Sequence, residues 1–141
     1  MKTRPAPSML AALALLVSST AIASPVIHQE PAGTLYDPMT EFVVDTRSNT
    51  AWVSLYAFRT FSEDPYLRRI TVNGLRYDPA AGQVMLATAG GEVACGSVAR
   101  RGVGPFKTTH VVPSGKCELS AVIDERGSRN PSLTVRLVAA G

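Results

Sequence analysis

Apolar and polar positions divide the chain into two unlike parts. Residues 9–17 (MLAALALLV) include no polar side chain, and no apolar run of that length follows. Beyond Gly33 the apolar stretches are short, turn residues interrupt them at close intervals, and no 3.6-residue period is sustained. That spacing predicts antiparallel strands rather than helices. Strands are expected at 41–46 (EFVVDT), 51–61 (AWVSLYAFRTF), 83–88 (QVMLAT), 92–98 (EVACGSV), 107–112, 116–123 (KCELSAVI) and 132–138 (SLTVRLV).

Between these lies a hairpin signal. Residues 69–72 and 75–77 flank Asn73-Gly74, a pair favoured where both central turn residues take positive φ. A two-residue turn there sets Val72 opposite Leu75 and Ile70 opposite Tyr77, with all four on one face. A second hairpin, centred on Gly90-Gly91, pairs Leu86 with Cys95 and Val84 with Ser97 and turns Cys95 toward the apolar set. Cys117 shares a face with Leu119, Ala121 and Ile123. Both sulfurs are thus expected to face the core.

The amino end changes the picture of the compartment. Lys2 and Arg4 precede the apolar run, and Ala21-Ile22-Ala23 supplies the small-x-small pattern read by signal peptidase. Nine apolar residues fall well short of the roughly 20 that cross a bilayer. Residues 1–23 are therefore expected to be a cleaved secretory signal and not a membrane anchor. Residues 24–33, with Pro25, Pro31 and Gly33, read as an N-terminal tail or a loosely attached edge, and 34–141 as a single all-β domain.

Export bears on the two cysteines, Cys95 and Cys117. An even count in an exported chain predicts a disulfide. Closing a loop with a separation of 22 residues is worth about 3 kcal/mol in the chain-entropy model. Charge is altered as well. The whole chain has 14 Lys+Arg against 11 Asp+Glu, and loss of Lys2 and Arg4 leaves 12 against 11, a net of +1. No basic stripe remains, so nucleic acid is not the expected partner. Arg68-Arg69 and Arg100-Arg101, the two basic pairs, read as solvated surface near strand ends.

Candidate chemistry is sparse. His28 has only Glu30 near it in sequence, His110 has no neighbouring acid or thiol, and neither belongs to a metal-ligand spacing. Glu63-Asp64 and Asp124-Glu125 lie beside turn residues, and neighbours on a strand point to opposite faces. A Cys95–His110 nucleophile would need a reduced thiol, which the disulfide excludes. No cofactor or metal is expected. One pattern stands out. The longest strand places Val53, Leu55 and Ala57 on one face and Trp52, Tyr56 and Phe58 on the other, so both faces are apolar. The preferred explanation is a central strand covered on both sides, for instance by the N-terminal tail. The alternative is an exposed aromatic patch of the kind enriched at interfaces. Trp52, Tyr56 and Phe58 are thus the first candidate binding residues. Arg100, Arg101, Lys107 and His110, on a loop tethered by the disulfide, are the second set.

The expected fold is a small antiparallel β-sandwich, or a barrel-like relative, of about eight strands. Arg-rich, Lys-poor composition with abundant Ala, Gly and Pro suits a GC-rich bacterium, which makes the expected location the periplasm, with full secretion as the alternative. The expected function is that of a non-catalytic, protein-binding module (an inhibitor, an immunity-type or an accessory protein). A structural subunit that pairs edge strands comes second, and a small hydrolase or ligand-binding protein third.

Overall fold

The computed structural model describes residues 25–125 and 129–139, so the expected signal segment lies outside the described residues. Among the described residues ten strands follow one another: β1 (Val26–Pro31), β2 (Leu35–Asp45), β3 (Thr50–Arg59), β4 (Tyr66–Ile70), β5 (Leu75–Asp78), β6 (Gln83–Thr88), β7 (Gly91–Arg101), β8 (Thr108–Pro113), β9 (Cys117–Asp124) and β10 (Ser132–Ala139). A 3-10 turn, Gly104–Phe106, separates β7 from β8.

The larger sheet runs β2-β3-β5-β6-β7-β8, with β4 also paired to β3, and the smaller runs β1-β10-β9. Every pairing is antiparallel. Because β2 comes close to both β8 and β9, the two sheets form a nearly closed, barrel-like sandwich. Inside it, alternation decides which side chains meet. Val53, Leu55 and Ala57 of β3 are fully buried, as are Val84 of β6 and Leu133 and Val135 of β10. Phe42, Leu86 and Leu137 complete the centre. Cys95 on β7 and Cys117 on β9 form the expected disulfide, with a Cα–Cα distance of 4.9 Å. It joins the larger sheet to the smaller.

Three elements depart from the sequence reading. Residues 26–31, read as a tail or a loosely attached edge, form an edge strand paired with β10 through Glu30↔Leu133 and His28↔Val135, with an irregularity between Val26 and His28. Its prolines hide this: Pro25 lies before the strand and Pro31 is its last residue, and an edge strand tolerates a missing donor.

The Asn73-Gly74 hairpin does not form. β4 pairs with β3 (Val53↔Ile70), and β5 then continues along the same side of β3 (Thr50↔Arg76) before pairing with β6. Gly74 alone takes positive φ, at 85°, and Asn73 does not. A turn with positive φ only at its third residue lacks the twist that matches hairpin strands. The Gly74 carbonyl instead accepts a hydrogen bond from Ala87 N at 2.8 Å. Ile70, Val72, Leu75 and Tyr77 all still reach the core, so the hydrophobic pattern is satisfied by a different pairing.

In the β6–β7 hairpin the turn is Ala89-Gly90, which sets Thr88 opposite Gly91 and Leu86 opposite Val93 rather than Cys95. A bulge then brings Val84 opposite Gly96, so Cys95 is the extra residue. The bulge buries Cys95 and Gly96 in succession.

Candidate binding surface

The outward face of β3 is where the sequence leaves an unexplained surplus of apolar side chains, and neighbouring strands add to it. Cross-strand partners point to the same side of a sheet. Met39 of β2, Tyr56 of β3 and Leu67 of β4 therefore form one outward row, and Glu41, Ser54 and Arg69 the next. Tyr36 pairs with Phe58 at the end of the strand. Tyr36 stacks on Phe58 with centroids 5.6 Å apart, and Tyr56 meets Phe58 edge-on at 5.2 Å. Met39 is 54% exposed and Leu67 63%. Between them runs a groove of about 400 Å³ lined by Met39, Glu41, Ser54, Tyr56, Phe58 and Leu67. Phe61 projects from the β3–β4 turn, fully exposed.

Trp52 closes the other end. The Arg69 guanidinium lies 3.7 Å from its ring centroid, a cation–π contact that leaves the indole half-buried. The structure thus brings Trp52, Tyr56 and Phe58 together on an outward face. It does not support the preferred explanation, since the amino-terminal segment runs beside β10 in the other sheet and does not cover them.

Tyr36, Met39 and Leu67 are members of this surface that sequence reasoning missed. Asp37, with φ 49°, and Pro38 bulge β2 between Tyr36 and Met39, so residues three apart share a face and the period of two is lost. The Asp-Pro pair was the available signal. Leu67 is hidden by its setting between Tyr66 and the arginines. Those arginines part company: Arg69 lies on Trp52, while Arg68, also exposed, lies toward Glu30 and Tyr66.

The second candidate set is divided. Arg100 and Arg101 end β7 opposite Thr109 and Thr108, and exposed Lys107 precedes β8, so these three form the basic end of a hairpin rather than a loose loop. His110 pairs with Ala99 farther along and lines a small crevice with residues 41–44 of β2. Its buried Nδ1 has no hydrogen-bond partner.

A polar cluster spans the seam between β1 and β4. Glu30 accepts hydrogen bonds from the Tyr66 hydroxyl and the His28 ring. The Tyr66 hydroxyl accepts one from Arg68 Nε at 2.8 Å, and that nitrogen lies 3.5 Å from Glu30. Burial pushes the Glu30 carboxyl up, but the hydrogen bonds from Tyr66 and His28 and the Arg68 charge outweigh it and hold the group below the usual carboxylate range. Burial and the bond to Glu30 raise the Tyr66 hydroxyl. Arg59 and Arg68 lie 5.3 and 5.1 Å from the Tyr66 ring centroid. Among the described residues no three His, Cys, Asp or Glu side chains converge as metal ligands.

Compared with known proteins, the chain matches no family model, no curated sequence and no solved structure. Its own geometry therefore carries the functional argument.

Proposed function

We propose that this chain is an exported, non-catalytic, protein-binding module of the bacterial periplasm, of the inhibitor, immunity-type or accessory kind, acting through the outward face of β2, β3 and β4. The single observation that carries the reading is the contiguity of Met39, Tyr56, Phe58 and Leu67 around one groove, with Tyr36 stacked on Phe58 at its end. A lone exposed leucine needs no explanation, whereas a connected aromatic patch with a charged rim is the composition of an interface core. Strand-borne side chains on a frame crossed by a disulfide lose little entropy on docking. The polar cluster at the β1–β4 seam has a structural task, since Glu30 is engaged in joining the two sheets.

Capture experiments test this. The purified protein, used as bait against periplasmic extract and against an untagged copy of itself, is expected to retain a protein ligand. The Tyr56→Ala/Phe58→Ala variant, folded by circular dichroism, is expected to lose at least about 30-fold in affinity, the scale of one interface hot spot. Retention of nothing, or equal retention by the variant, would sink the reading.

A further inference from the structure

We infer that the occupant of this outward face is a second copy of the same chain, packed face to face about a two-fold axis parallel to β3. The inference rests on the protein-binding reading and deepens it by naming the partner. What singles out this occupant is the arrangement of charge across the three strands. In the row Glu41–Ser54–Arg69 an acid and a base lie at opposite ends, two strand spacings or about 10 Å apart, with a small neutral residue between them. A two-fold axis lying along β3 sets each Glu41 over the other copy's Arg69. The same operation sets Met39 over Leu67 in the adjacent row, and brings Tyr56 and Phe58 against their own copies on the axis.

The alternative in-plane axis, perpendicular to the strands at this row, sets acid over acid and base over base. Charge therefore favours the axis along β3 over that one. An isologous interface needs a surface that is complementary to itself under one rotation, and both rows meet that condition. Arg69 is already held against Trp52, and a charge fixed before association loses less freedom on pairing.

Sedimentation equilibrium of the purified protein, from micromolar to millimolar concentration, tests the inference. The expected result is a monomer–dimer equilibrium that Leu67→Asp weakens at least about 30-fold. Charge reversal supplies a sharper arm that does not depend on a disruptive substitution. Glu41→Arg and Arg69→Glu are each expected to be monomeric alone, because each sets like charges together twice. Mixed in equal amounts they are expected to form a one-to-one heterodimer, since every contact is then complementary.

A protein that stays monomeric throughout overturns the inference. So does a dimer indifferent to Leu67→Asp, or one lost only when β1 is deleted, which would mark strand exchange. A mixture of the two charge variants that stays monomeric overturns it too. A monomer that still captures another protein through Tyr56 and Phe58 refutes self-association alone, whereas one that captures nothing refutes the binding reading with it.

Discussion

Gly96 and Phe61 are set by the backbone in opposite senses. At Gly96 a Cβ would lie 2.5 Å from Val111 Cγ1 and 2.9 Å from the Val112 carbonyl oxygen. Gly96→Ala must displace β8 or widen the bulge, and overpacking of that kind costs about 1–3 kcal/mol, read as a lower denaturant midpoint at unchanged slope. Phe61 is the converse case. It holds φ at 65°, a left-handed conformation unfavourable to a side chain by about 1–2 kcal/mol, and its ring is fully exposed. Phe61→Gly relieves the backbone, while the added freedom of the unfolded chain offsets about 0.4–1 kcal/mol of the gain. The expected outcome is unchanged or slightly higher stability in the same titration; a loss above about 1 kcal/mol would mean that the ring packs in solution. Legibility differs along the same line. Leu133, Val135 and Leu137 were readable as an inward face because burial imposes alternation. Tyr36 and Met39 were not, because one bulge at Asp37-Pro38 shifts the phase and nothing in the apolar pattern reports it.

Strands were legible as elements, but their partners were less so. The Asn73-Gly74 pair and the apolar set around it agreed on a hairpin, yet β4 and β5 lie in succession along β3. Both arrangements bury Ile70 and Leu75, so the hydrophobic pattern could not separate them. The β1–β4 seam was illegible for another reason: Glu30 and Tyr66 lie 36 residues apart and no local signal links them. That seam predicts a pH response. The Glu30 pKa is depressed in the folded state, so its contribution is fully present above about 4.5, the unfolded value, and is lost as pH falls through the folded one. The Tyr66 pKa is raised, so its contribution is present below about 10.0 and is lost as pH rises through the folded value. Chemical unfolding across pH should show a plateau with both flanks falling. Exposed Asp45 and Glu92, also depressed, add to the acid flank, so the diagnostic is the difference from Glu30→Gln. That variant should lose about 1–3 kcal/mol at neutral pH, flatten the acid flank and reduce the alkaline one, because the Tyr66 hydroxyl loses a partner that raised it. Parallel curves would show that the cluster does not couple the strands.

At the scale of the molecule, two sheets of unequal size must be held in one relation, and three different connections do it. Apolar burial joins them without direction, through β3 and β6 on one side and β10 on the other. The Glu30 cluster joins β1 to β4 with directional bonds. The Cys95–Cys117 bond joins β7 to β9 covalently. The last is the most revealing to remove, because the disulfide and the sheet assignment support each other. In the unfolded chain the bond closes a 22-residue separation, and losing that constraint costs about 3 kcal/mol. The Cys95→Ser/Cys117→Ser variant would leave two hydroxyls in a buried site between the sheets, a further penalty unrelated to the loop. Cys95→Ala/Cys117→Ala avoids it and is the cleaner comparison. The alanine variant is expected to be less stable by about 2–4 kcal/mol, with a lower denaturant midpoint and an equal or slightly larger slope, since a denatured chain without the crosslink exposes at least as much surface. Reduction of the wild-type protein should move its midpoint to that of the variant. A reduced protein as stable as the oxidised one would show that β7 and β9 are held by packing alone, and that the covalent bond follows the fold instead of securing it.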